Sequence, residues 1–496
     1  MRVLLTLLAV CSIPNAWCEV KLPGILSSHM VLQRDRPIHV WGWSDPGEKV
    51  TVTLRGNSRD AVGDGLGTWS VYLPPEAAGG PYQITIAGSN RIVLDDVLIG
   101  DVWFASGQSN MEMPLKGFPG APVKNSAEEI AHANQPRIRL LMIPRKTSDF
   151  PLRNADTSWT ICSPETAANF SAVAYFFGRD LAGREQVPIG LIDSTWGGTP
   201  AEAWTSLEAI SSDAALMPLF ATRAQMMSEQ ADVQAILAKE KREDAAARQA
   251  GQPAQRHPWR PDAASWAPAA LFNGMIAPET GYGIKGVIWY QGESNSRLSF
   301  APLYARIFPA LIADWRAQWR QGNFPFLYVQ ISNFESTPNE AWPFIREAQR
   351  RTLAVANTAM AVTIDVGDPT NVHPADKQTV GARLALAARA LAYGENVEYS
   401  GPLFRQAAPE SGGIRVWFDH AVGLAAKGDD LQGFEIAGSD RRFVRANARV
   451  DGQTVVVSDP GVQDPRYVRY GWANAPVVNL YNSAGLPASP FSPERD

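Results

Sequence analysis

At 496 residues, 45% of them hydrophobic, the chain is too long for one ordinary core and carries enough apolar content for about two to four domains. A formal charge of -5, with 45 Lys and Arg against 50 Asp and Glu, provides no basic footprint for a nucleic-acid backbone, so no nucleic-acid partner is expected. Forty glycines and 37 prolines point to many turns, and the 16 tryptophans serve either as cores of β-domains or as sugar-stacking platforms.

The chain starts "MRVLLTLLAVCSIPNAWCEV". Arg2, the short apolar run Val3 to Val10 and the small residues near Ala16 resemble a secretory signal peptide, so residues 1–18 are expected to be removed and the protein to be periplasmic or secreted. The run is too short to span a bilayer. Loss of this segment would take Cys11 and Cys18 and leave Cys162 without an intrachain disulfide partner.

Residues 19–93 read as short strands with Gly and Pro punctuation. Val50, Val52 and Leu54 fall on one face and Thr51 and Thr53 on the other, the period of a half-buried antiparallel strand, so a β-sandwich-like domain is predicted. Residues 94–398 then alternate apolar strands ("DVLIGDVWFAS", "RIRLLMI", "PIGLIDS", "KGVIWYQ", "PFLYVQIS", "MAVTIDVG") with helices near Ser171–Gly183, Ala269–Thr280, Tyr304–Trp319, Pro343–Val355 and Ala375–Leu391. This α/β pattern predicts a mostly parallel sheet covered on both faces, with ligands beyond the carboxyl ends of its strands. An Ala-rich, highly charged insertion at about 206–266 reads as a solvated helix ending near Gly251. From 399 to 496 β-rich segments return, with Asp451-Gly452 as a hairpin cue.

Four strand-end segments carry chemistry. Ser109 in "GQSNMEMP" follows the first α/β strand, where a hydroxyl can stand exposed beside backbone N–H groups, as acyl transfer requires. Gly197 and Gly198 in "STWGGTPAEAW" allow a close backbone approach and an oxyanion donor. In "WYQGESN", Gln291 offers an uncharged N–H donor, while Glu293 could hold a loop, receive a substrate hydroxyl or orient an imidazole. His373, one of six histidines, lies in a loop beyond a strand and suits general-base work because imidazole titrates near neutrality; the other five read as structural or surface residues. An imidazole base works best with a carboxylate behind it. Asp368 is preferred for that place because it stands in the loop, with Asp365 and Glu293 as rivals and Asp376 assigned to a helix cap.

Taken in order, "GQSNMEMP", "STWGGTPAEAW", "WYQGESN" and "HPADKQTVGARLA" resemble the sialate O-acetylesterases and related bacterial carbohydrate acetylesterases of the Ser-Gly-Asn-His hydrolase superfamily. "MVLQRDRPIHVWGWSDPGEKVTV" and "RYGWANAPVVNLYNSAGLPASPF" extend the likeness over nearly all of the expected mature chain. The resemblance implies a three-layer, flavodoxin-like catalytic sheet with N- and C-terminal β-rich accessory domains. It also implies Ser109 as nucleophile, His373 as general base, and oxyanion donors from Ser109 N–H, the Gly197-Gly198 region and the Gln291 side chain. The usual Asp-x-x-His spacing is absent, because Thr370 stands three residues before His373, and the acidic member stays open.

The expected reaction is therefore serine-dependent deacetylation of an O-acetylated oligosaccharide or polysaccharide through an acyl-enzyme, with no metal, nucleotide or redox cofactor. Export and abundant tryptophan favour an acetylated plant glycan such as xylan or xyloglucan over sialate. Arg153, Arg179, Arg297 and Arg346 are the cations that could meet a sialate carboxylate. Two further readings are a glycoside hydrolase using Glu293 with Asp365 or Asp368, and a non-catalytic carbohydrate-binding protein.

Overall fold

The computed structural model describes residues 19–252, 260 and 262–493; the expected signal peptide lies outside the described residues. The N-terminal part supplies β1 (Val31–Gln33), β2 (Ile38–Trp43), β3 (Lys49–Leu54), β4 (Asn57–Val62), β5 (Thr68–Leu73) and β6 (Gly79–Ala87). In β3 the valines and Leu54 are buried and Lys49, Thr51 and Thr53 are not, as the period-2 pattern requires. This strand lies between β4 and β6, while β2 and β5 form a second, two-stranded sheet.

β7 (Arg91–Gly107) is seventeen residues long and joins the two regions. Its first half runs antiparallel to β6, with Ile84 opposite Leu94, and its middle runs parallel to β1. Its last residues lie between two parallel strands, β10 (Ile189–Thr195) and β11 (Gly286–Tyr290). From Val97 onward every residue is buried, which explains why this part reads as an almost unbroken apolar run. The expected boundary at 93–94 thus falls inside a continuous strand. With β8 (Gln135–Met142), β9 (Thr160–Cys162), β12 (Phe326–Gln330) and β13 (Thr358–Val362) the central order is β13-β12-β11-β7-β10-β8-β9. All its neighbours pair in parallel except β9, which is antiparallel to β8.

The helices that matter for the site are α1 (Ser109–Glu112), α2 (Ala172–Glu185), α3 (Pro218–Gln249), α4 (Tyr304–Trp319), α5 (Trp342–Thr352) and α6 (Lys377–Tyr393). Consecutive residues of a strand point to opposite faces. Trp103 meets Phe177 of α2, whereas Phe104 meets Trp315 and Trp319 of α4, so these helices cover opposite faces of the sheet. The helix expected over Ala269–Thr280 is instead a π-helical turn, Phe272–Ile276, followed by a 3-10 turn, Ala277–Glu279. Gly274 there presses against the Lys146 carbonyl so closely that a Cβ would stand 1.9 Å from its oxygen.

One hydrophobic core runs from Val20 to Ala388 and unites the N-terminal strands with the α/β sheet. Trp69, Trp103, Trp204, Trp289, Trp315 and Trp342 are among its largest fully buried side chains, so most of the tryptophan excess is structural. A second core, Ile414 to Phe491, belongs to the C-terminal strands, where Asn447–Asp451 and Thr454–Ser458 form the hairpin signalled by Asp451-Gly452. Arg346 of α5 ties the end of β12 to the C-terminal region by donating to the carbonyls of Ile331, Ser332, Ala473 and Asn474.

Gly107 ends β7 at φ +135°, and a Cβ there would lie 2.2 Å from the Tyr290 carbonyl oxygen. Only glycine tolerates both the dihedral and the approach. Gly107→Ala should destabilise the folded chain by roughly 3 kcal/mol, read as a lowered thermal unfolding midpoint with proportionate loss of activity.

Candidate active site

A cleft of about 640 Å³ opens over the carboxyl ends of the central strands. Four loops bring the sequence-predicted residues to it: Ser109 follows β7, Gly197 and Gly198 follow β10, Glu293 follows β11 and His373 precedes α6. Ser109 is the first residue of α1, where its N–H has no carbonyl one turn earlier to bond. Gln108 anchors this turn: its N–H donates to the Tyr290 carbonyl at 3.0 Å, and its side-chain oxygen accepts from the Gly292 and Ser294 N–H groups.

Gly197 abuts the serine, since a Cβ on it would lie 3.2 Å from the Ser109 Cβ. Its N–H donates to the Glu112 carboxylate, whose other oxygen pairs with Arg145. Gly198 adopts φ +73° and its carbonyl accepts from the Trp266 indole at 2.6 Å.

Gln291 does not reach the cleft. Its side chain is fully buried, its amide donates to the Thr199 carbonyl at 3.2 Å and to Asn295 Oδ1 at 2.7 Å, and its oxygen accepts from the Tyr304 hydroxyl. The side chain expected as an oxyanion donor instead fastens the Gly197-Gly198 loop to the loop after β11, and that expectation is corrected. Asn295 completes the fastening by donating to Glu202 and accepting from Ala201 N–H.

The His373 ring packs edge-on against Phe118 at 5.3 Å. Among the described residues no carboxylate is hydrogen-bonded to it. Burial, reinforced by the Lys377 cation, pushes its pKa down to about 4. Asp368, the preferred partner, turns its carboxylate back on the N–H and hydroxyl of Thr370, both at 2.8 Å, so the geometry corrects that preference. Asp365 is committed to Arg383 at 2.6 and 2.8 Å. Asp376 caps α6 through the Thr379 N–H, as expected. Of the three candidates, Asp365, Asp368 and Glu293, it is Glu293 that lines the cleft. Its Oε1 accepts from the Asn110 amide at 2.6 Å, its Oε2 is buried without a hydrogen-bond partner, and burial raises its pKa.

Of the four arginines singled out in the sequence, Arg179 pairs with Glu129 and Asp180, Arg346 is committed to carbonyls, and Arg153 does not line the cleft. Arg297 does line it, with its guanidinium over the Trp266 ring at 5.5 Å and, among the described residues, no carboxylate within ion-pair distance. Sequence reasoning missed Asn110, Glu112, Arg145 and Lys377. A signal for Lys377 was present: a cation at the first position of a helix opposes the helix dipole, and such a placement calls for a local partner. Among the described residues no group of three or more His, Cys, Asp or Glu side chains is gathered to hold a metal ion.

Residues 258–390 match the family model described as "Carbohydrate esterase, sialic acid-specific acetylesterase". The sialate O-acetylesterase of Rattus norvegicus is 32% identical over 95% of this chain and 94% of its own, and that of Homo sapiens 31% identical over 96% and 93%. A solved carbohydrate acetylesterase from Xanthomonas citri is 36% identical, with a TM-score of 0.83, covering 96% of this chain and 100% of the other. The chain is a carboxylic ester hydrolase that belongs to the sialate O-acetylesterase family of carbohydrate esterases.

Proposed function

We propose that the protein removes acetyl groups from an O-acetylated sugar through an acetyl-enzyme on Ser109, within a three-layer, flavodoxin-like catalytic unit of the Ser-Gly-Asn-His type. The observation that carries this reading is the convergence of Ser109, His373 and Gly197 on one cleft. His373 takes the Ser109 proton as Oγ bonds to the acetyl carbon. The carbonyl oxygen becomes an oxyanion that accepts from Ser109 N–H and from Gly197 N–H, the latter released as Glu112 turns wholly to Arg145. The imidazolium returns the proton to the sugar oxygen as that C–O bond breaks. Water, deprotonated by the same imidazole, then attacks the acetyl-enzyme; the acetyl C–Oγ bond breaks, the imidazolium returns its proton to Ser109 Oγ, and acetate is released.

For the substrate we favour an O-acetylated sialate, in line with the family model and the mammalian relatives. Arg297 is the cleft cation suited to its carboxylate, because among the described residues no carboxylate lies within ion-pair distance of its guanidinium, which rests over the Trp266 ring. A neutral acetylated glycan is the second reading. It is favoured by the aromatic side chains along the cleft, Trp196, Trp266, Phe118 and Phe334, since aromatic faces stack on uncharged pyranose rings.

Ser109→Ala should fold normally and lose at least about a thousandfold in acetate release from O-acetyl sugars; undiminished turnover would refute the assignment. Arg297→Gln should raise KM for an O-acetyl sialoside by about tenfold and leave a neutral acetylated xylo-oligosaccharide unchanged, whereas equal effects on both would favour the neutral glycan. The base must be neutral to accept a proton, so activity falls as pH drops through the pKa of His373. With that pKa near 4, the acid limb of kcat/KM should lie near pH 4, and a limb close to the ordinary imidazole value would contradict the environment described for the ring.

A further inference from the structure

Asn110 follows the nucleophile in sequence, and its side chain is buried. The amide nitrogen donates to Glu293 Oε1 at 2.6 Å and to the carbonyl of Val372 at 3.0 Å, one residue before His373. The amide oxygen accepts from Lys377 Nζ at 2.5 Å. One side chain thus ties together the nucleophile turn, the loop after β11, the histidine loop and the start of α6.

We propose that Asn110, Glu293 and Lys377 form a buried clamp that positions Ser109 against His373, in the place where an imidazole base ordinarily has a carboxylate behind it. The proposal rests on the reading of Ser109 and His373 as nucleophile and base.

Three physical points favour it over ordinary core polarity. First, Asn is the side chain that fits: it donates to a carboxylate and a carbonyl while accepting from a cation, and an aspartate could not donate to either. Second, Lys377 is fully buried at the amino end of a helix, where both desolvation and the helix dipole oppose a cation. Glu293 from the loop after β11 and Asp376 from the adjoining loop favour its charge, and the Tyr290 ring of β11 lies 5.6 Å from Nζ. Third, the same cation acts on the neighbouring imidazole and lowers its proton affinity. Burial first, and Lys377 when charged second, favour the neutral, proton-accepting form of His373, while the Lys377 bond to Asn110 fixes the spacing. Glu293 Oε2 lies buried in the cleft wall with no hydrogen-bond partner among the described residues.

The test compares Lys377→Met, Lys377→Arg and Asn110→Asp in the full chain, with competent sites counted by covalent titration of Ser109. The clamp predicts that Lys377→Met and Asn110→Asp lose about tenfold or more in kcat per competent site, with KM within about twofold. Removing the cation from beside His373 should also move the acid limb of kcat/KM upward in Lys377→Met, and Lys377→Arg should return the limb and part of kcat. Unchanged kcat per competent site, or an acid limb that stays in place while losses follow only the folded fraction, overturns the clamp. Should Lys377→Met not fold, Asn110→Ser carries the same kcat comparison, and kcat per competent site at the parent value overturns the proposal. Failure of the underlying reading is separate, because then Ser109→Ala keeps its turnover.

Discussion

The placement of the nucleophile depends on the close passage of Gly107 across the Tyr290 carbonyl. β7 is hydrogen-bonded on both sides to its last residues, so its end cannot bend away before Gly107. At that point a positive φ turns the chain directly into α1, and Gln108 locks the turn to the loop after β11. A side chain at position 107 would push the two strands apart, and Ser109 would lose its relation to three other loops. The N-terminal sheet adds to this rigidity, because the same strand continues back into it and the two regions share one core.

Around that fixed point the charges are arranged economically. Asp365 secures α6 through Arg383, and Asp368 closes its own loop through Thr370. Glu112 holds Gly197 against the serine and is itself held by Arg145. Asp193, buried behind this pair, has its pKa raised to about 7 by burial, with the nearby Glu112 charge adding to the effect. The imidazole sits beside a cation instead of an anion, a setting that lowers its basicity and asks more of geometry and of the oxyanion donors.

Strand-end placement of the active loops was legible in the sequence because it follows from periodicity: apolar runs end, and Ser109, Gly197, Glu293 and His373 come just after or in the next loop. Helices with strong apolar repeats, such as Tyr304–Trp319, were equally legible. Direction was not. Gln291 and Glu293 are two residues apart in one short loop, yet the first faces inward to Thr199 and Asn295 while the second borders the cleft, a difference set by packing against Tyr304 and Asn110. Nor could spacing show that Asp368 prefers Thr370, two residues away, to His373, five away. The Asn110 clamp joins residues 183 to 267 positions apart, and no local pattern encodes such contacts.

The most direct test of Ser109 as the nucleophile activated by His373 is covalent labelling with an alkyl phosphonofluoridate, followed by peptide mass mapping. An adduct on Ser109 in the parent chain, formed at least about a hundredfold more slowly in His373→Ala, is the predicted result. An adduct on another residue, or equal labelling rates in the two chains, would contradict it.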